Sequence, residues 1–153
     1  MLSLDFSADN LFLLTGAADR MARIVEIATG QQTRTFEGHS HHVLGVSWSP
    51  DGRTVATAGA DTTVKIWDVA TGDRKKNIEG SEKEVTAVCF VGVGDKLLSS
   101  SGDNKVRLLK PGGEQILSFT DVAGFMTAAA VSANGKTVVA GGYDSGAARL
   151  AGD

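Results

Sequence analysis

The chain has 153 residues, 42% hydrophobic and 22% charged, the balance of a soluble globular protein long enough to bury a sizeable core. Fifteen basic against eighteen acidic side chains give a formal charge of −3, which argues against a nucleic-acid partner that needs a basic stripe. No apolar run approaches the roughly 20 residues of a membrane helix, and a single cysteine, Cys89, excludes an internal disulfide framework.

The N-terminus has neither a basic flank nor a cleavage site, so it does not read as a signal peptide, and a cytoplasmic location is expected. Nineteen glycines and two prolines suit many tight hairpins. In chain order, the first elements are short apolar runs broken at Ser7-Ala8-Asp9-Asn10. The next are strands at Val43–Ser47, Arg53–Ala58, Thr63–Asp68 and Asp73–Ile78, joined by Pro50-Asp51-Gly52, by Gly59 to Thr62 and by Ala70-Thr71-Gly72. Three successive hairpins predict a four-stranded meander. The same layout returns around Val91 to Asp95 and around Ser132-Ala133-Asn134-Gly135, and no helix is predicted.

The layout returns because the chain repeats. Asp19, Asp61 and Asp103 are spaced by 42 residues and Asp144 follows after 41; Phe6, Trp48, Phe90 and Val131 keep the same register, as do Val25, Trp67, Leu109 and Leu150. A period of about 40–45 residues with several strands each marks a radial array of small sheets. The repeats fall at approximately 1–36, 37–78, 79–119 and 120–153. Met1 aligns with Val43 and the last residues align with a third strand, so about fifteen strands are expected, with the last repeat lacking its outer strand.

The second repeat carries Gly38-His39, Thr57, Asp61 and Trp67-Asp68. This spacing resembles the signature of the WD-repeat family, which implies an all-β fold of the β-propeller type with four blade repeats, a half-propeller. The resemblance is complete in one repeat only: Val25, Leu109 and Leu150 stand at the Trp position, Ser81 at the His position and Ala140 at the Thr position.

His39, Thr57, Asp61 and Trp67 are expected to form one hydrogen-bonded structural set, since a buried polar group without a partner costs about 1–3 kcal/mol. Thr, His and Asp together also invite a hydrolase reading, but Trp67 is part of the set, and the resemblance implies that the set fastens strands. His39-Ser40-His41-His42 lacks the ligand spacing of a zinc site, so no metal is expected. Arg74-Lys75-Lys76 reads as charge protecting an outer strand. The glycine pairs are followed by no helix and no Gly-Lys-Ser/Thr, so they make no phosphate loop. Cys89 reads as a structural thiol, and nothing asks for a cofactor.

The resemblance also implies a docking rim beside the turn aspartates Asp19, Asp61, Asp103 and Asp144. Carried over by register, the rim is His42, Leu44, Glu84, Thr86, Phe125 and Thr127, with Ala18, Ala60, Gly102 and Tyr143 before each Asp. Phe125 and Tyr143 are its aromatic pair. The expected function is a non-catalytic protein–protein interaction scaffold binding a protein or peptide, with no nucleic acid or membrane as partner. Bare blade faces at the two ends predict self-association, a homodimer closing an eight-bladed ring. The alternatives are a segment of a seven- or eight-bladed protein with a purely structural role, four blades closing on themselves, or a metal-binding or hydrolytic propeller.

Overall fold

The computed structural model describes residues 1–120, 124–132 and 137–143 in full and 145–151 in their backbone; Asp144, Ala133-Asn134-Gly135 and the side chain of Leu150 lie outside the described residues. Fifteen strands and no helix are described. The first sheet is β1 (Ser3–Phe6), β2 (Phe12–Gly16), β3 (Met21–Glu26) and β4 (Gln32–Glu37). The second is β5 (Val43–Trp48), β6 (Thr54–Gly59), β7 (Val64–Asp68) and β8 (Arg74–Ile78). The third is β9 (Val85–Val91), β10 (Lys96–Ser101), β11 (Lys105–Leu109) and β12 (Gln115–Phe119). The fourth holds β13 (Met126–Val131), β14 (Thr137–Gly142) and β15 (Ser145–Ala151). Each sheet is an antiparallel meander in sequence order.

Register repeats as faithfully as sequence. Leu13 pairs with Val25, Val55 with Trp67, Leu97 with Leu109 and Val138 with Leu150, one pair per sheet at the spacing of the repeat. Turn chemistry repeats as well. Ser7 and Ser49 each accept from the residue three positions on and donate their hydroxyls to Asp9 and Asp51, at 2.6 and 2.5 Å. That closure puts Asn10 and Gly52 at φ of 59° and 71°, and the turn closed by Gly94 N on Val91 O puts Gly94 at 93°, the left-handed region that Asn and Gly tolerate best.

The sheets stack as blades. β1 packs on β5, β5 on β9 and β9 on β13, so the first strand of every sheet lies innermost. Three apolar layers lie between the four blades. Leu14, Ile24 and Phe36 of the first meet Val46, Trp48 and Trp67 of the second. Ala56, Ile66 and Ile78 of the second meet Val88, Phe90 and Leu97 of the third, and Leu98 and Val106 of the third meet Met126 and Val138 of the fourth. Gly45 is required by this stacking, because a Cβ there would stand 2.9 Å from Ala87 Cα in the next blade. Inner strands are also stitched by side chains: Trp48 N donates to Asp5 Oδ2 at 2.7 Å and Phe90 N to Ser47 Oγ at 3.1 Å. The result is an open arc, a half-propeller.

Candidate functional site

His39 enters from the segment between β4 and β5, Thr57 sits in mid-β6, Asp61 on the β6–β7 hairpin and Trp67 near the end of β7. His39 Nδ1 lies 2.9 Å from both carboxylate oxygens of Asp61, and Nε2 lies 2.7 Å from Thr57 Oγ1. Trp67 Nε1 donates to the same hydroxyl at 2.9 Å. A neutral imidazole satisfies all four: Nδ1–H donates to Asp61, the Thr57 hydroxyl donates to Nε2, and Thr57 accepts from the indole. A Cβ added at Gly59 would fall onto His39 Nδ1 and Asp61 Oδ1, so the pair occupies space that only glycine leaves.

The electrostatics agree with a neutral imidazole. Burial lowers the His39 pKa, and the opposing pull of Asp61 does not restore it. Burial by itself would raise Asp61; donors from His39, Ser40 N and Thr63 outweigh it and bring the carboxyl down to about 2. Lys65 Nζ, buried and 3.6 Å from Asp61, donates to Thr63 Oγ1 and Asn77 Oδ1. The Thr57 hydroxyl is fully buried and engaged on both sides, so the set offers no nucleophile to a substrate. It ties β6, β7, the hairpin between them and the incoming segment together.

The neighbouring blades use a cation at one register position. Arg23 pairs with Asp19 at 2.7 Å and Arg107 with Asp103 at 2.6 Å, each four residues after its Asp, as Lys65 is. Asp103 is held low: burial would raise it, but Arg107 and the Glu82 N–H outweigh that. In the third blade Ser101 fills the position of Gly59 and hydrogen-bonds to Lys83 O. These cations were missed in the sequence, although their spacing of 42 was there to be read.

The rim residues fall at one edge of the disc. Ala60 N donates to His42 O, Gly102 N to Glu84 O and Tyr143 N to Phe125 O, at 2.9–3.0 Å, so each of these pre-Asp residues lies beside the residue that leads into an innermost strand. His42 and Thr127 are exposed, while Leu44, Glu84 and Thr86 are half-buried. Thr86 Oγ1 donates to Met126 O at 2.7 Å and so ties two blades. Phe125 is half-buried with its ring lying on Gly102, where a Cβ would collide with it, and Tyr143 is 71% exposed. The structure thus separates the aromatic pair, one ring tucked against the third blade and one in solvent.

The family described as WD domain, G-beta repeat matches residues 1–26, 30–68 and 72–109. The chain belongs to the WD40 repeat family. Repeats of this family generally mediate protein–protein scaffolding. No curated protein matches the chain. The fourth WD40 blade lies beyond the matched residues and is carried by its sheet and register.

Other side chains of this WD40 chain hold few chemical prospects. His41 and His42 pack ring on ring at 4.4 Å. Among the described residues, no three His, Cys, Asp or Glu side chains group as metal ligands. Lys75 of the basic run pairs with Asp68 at 2.7 Å. Burial pushes the Cys89 thiol up to about 11, which leaves it protonated and unreactive at neutral pH. No described helix is long and apolar enough to cross a membrane.

Proposed function

We propose that the chain is a non-catalytic protein–protein interaction scaffold whose open arc is closed by a second copy into an eight-bladed ring. The exposure of equivalent residues supports the closure. Val46 and Trp48 are 6% and 7% exposed, yet Leu4 and Phe6, 42 residues earlier in the first blade, are 49% and 52% exposed. At the other end Leu14, Ala56 and Leu98 are 0% exposed under the blade that follows each, and Val139 at the same position is 43% exposed. Each end face therefore copies one side of an interface that the chain already makes three times. Leaving a few hundred Å² of apolar surface bare costs on the order of 10 kcal/mol per face at ~25 cal/mol per Å², comparable with a whole domain's stability.

Two copies related by a two-fold axis bury both faces at once, since first blade meets fourth blade twice. Eight blades lie within the four to eight of known propellers. The closed disc would present its rim, with Tyr143 the most prominent side chain, to a protein or peptide partner. The reading places the scaffold in the cytoplasm, which keeps a lone thiol such as Cys89 reduced.

Light scattering after size exclusion, across a concentration series, tests the closure. The expected species has twice the 15.9 kDa mass of the chain, and Leu4→Lys with Phe6→Lys splits it. A clean monomer overturns self-association, and polydisperse aggregate assigns the bare faces to further blades of a longer chain. Pull-down with Phe125→Ala and Tyr143→Ala, assembly being retained, tests the rim.

A further inference from the structure

A cleft of about 520 Å³ opens between the first two blades, at the edge of the disc opposite the turn aspartates. That volume is within the range of small-ligand sites, roughly 300–1,000 Å³. Its apolar wall is Phe12 stacked on Trp48, ring centroids 6.4 Å apart and planes 27° from parallel.

Trp48 Nε1 is buried and has no hydrogen-bond partner among the described residues. The fold has no use for this donor. Phe6 and Phe90 occupy the same position in the adjacent blades, and Phe90 is buried there with no polar atom. An unmade buried N–H nonetheless costs about 1–3 kcal/mol. The nitrogen stands behind Gly52, which also lines the cleft: a Cβ on Gly52 would lie 4.0 Å from Nε1 and meet nothing else within that distance. Glycine at this position leaves that side of Nε1 free of any side chain, so an acceptor can approach it there.

Two carboxylates stand at the mouth. Asp9 and Asp51 each spend Oδ1 on their own turn, taking Ser7 Oγ with Leu11 N and Ser49 Oγ with Arg53 N. Neither Oδ2 has a donor among the described residues. Arg34 is a lining cation, and one of its guanidinium N–H groups donates to Ala70 O at 2.5 Å. Arg53 and Lys75 are the cations near Asp51, and Lys75 is committed to Asp68. The cleft thus has a spare donor within, an aromatic wall, and spare anionic acceptors outside.

We propose that this cleft binds a basic residue of an extended peptide. Its main-chain carbonyl accepts from Trp48 Nε1, its aliphatic stem lies on Phe12 and Trp48, and its cationic head rests between Asp9 and Asp51. The site lies within one chain, so it is independent of ring closure.

The chain has two tryptophans and so two indole N–H resonances, of which Trp48→Phe identifies one. The ¹⁵N-labelled full chain is titrated with acetyl-Leu-Arg-Leu-amide and with acetyl-Leu-Glu-Leu-amide. The Trp48 signal is expected to move saturably with the first peptide and to stay still with the second, while the Trp67 signal, held by Thr57, stays still throughout. Asp9→Asn with Asp51→Asn keeps both turn acceptors and weakens binding about fivefold; Trp48→Phe weakens it about 2–10-fold. A motionless Trp48 signal at millimolar Arg peptide, an equal response to the Glu peptide, or unchanged affinity in the double Asn variant overturns the proposal.

Discussion

Arg107 and Asp103 form a buried ion pair at 2.6 Å in the third blade, at the register where Lys65 and Asp61 stand 3.6 Å apart in the second. Arg107 also donates to Gly80 O, so its guanidinium reaches the segment that His39 occupies one blade earlier. The two blades solve one problem, a turn carboxylate buried between strands, with different partners.

Removing Arg107 leaves Asp103 buried and unpaired. Arg107→Leu is expected to destabilise the chain by about 3–5 kcal/mol, because the stranded charge costs more than the pair contributes. Denaturant melts of the single variant and of Arg107→Leu with Asp103→Leu check this; the double variant is expected to recover much of the loss.

Trp67 has two roles, a ring against Phe36 at 5.5 Å and a donor to Thr57. Trp67→Phe keeps most of the ring and loses the donor, so about 1 kcal/mol is expected. Trp67→Ala loses both, about 3–5 kcal/mol, and should exceed Leu109→Ala, whose position has no polar set. Equal losses in the two Ala variants refute a special role for the blade-two set.

Gly59→Ala places a methyl group where His39 and Asp61 meet. Overpacking of this kind costs about 1–3 kcal/mol. Thr62 runs the other way: it holds φ at 67°, and Asn104 takes the same place one blade later. Thr62→Asn is therefore expected to stabilise by about 1 kcal/mol. Thermal melts of both variants give the signs.

Acid should weaken the fold in two stages. The folded His39 pKa is below its ordinary 6.5, so the unfolded chain binds the proton first and stability falls as pH drops below about 6.5. Asp61, lowered from 3.8 to about 2, adds a second loss as pH falls from about 4 toward 2, on the order of 2 kcal/mol at ~1.4 kcal/mol per unit. Urea midpoints between pH 7 and pH 2 check both stages, and His39→Gln should remove the upper one.

The polar set, the hairpin turns and the register were legible because each depends on spacing along one blade, and spacing is preserved in the repeat. Phe125 was not. Its place on Gly102 depends on how the fourth blade leans on the third, which no local pattern encodes. Nor was the unmet N–H of Trp48, since Phe6, Trp48 and Phe90 look alike as apolar residues in sequence.

By itself the sequence determined the blade: its period, its strand order, its turn residues and the four side chains that fasten the second repeat, because these interactions are local and recur every 42 residues. Only the tertiary structure decided which faces are covered. Leu4 and Val46 carry the same pattern, and whether an apolar face is core or open surface depends on the presence of a neighbouring blade, not on the residues that form the face.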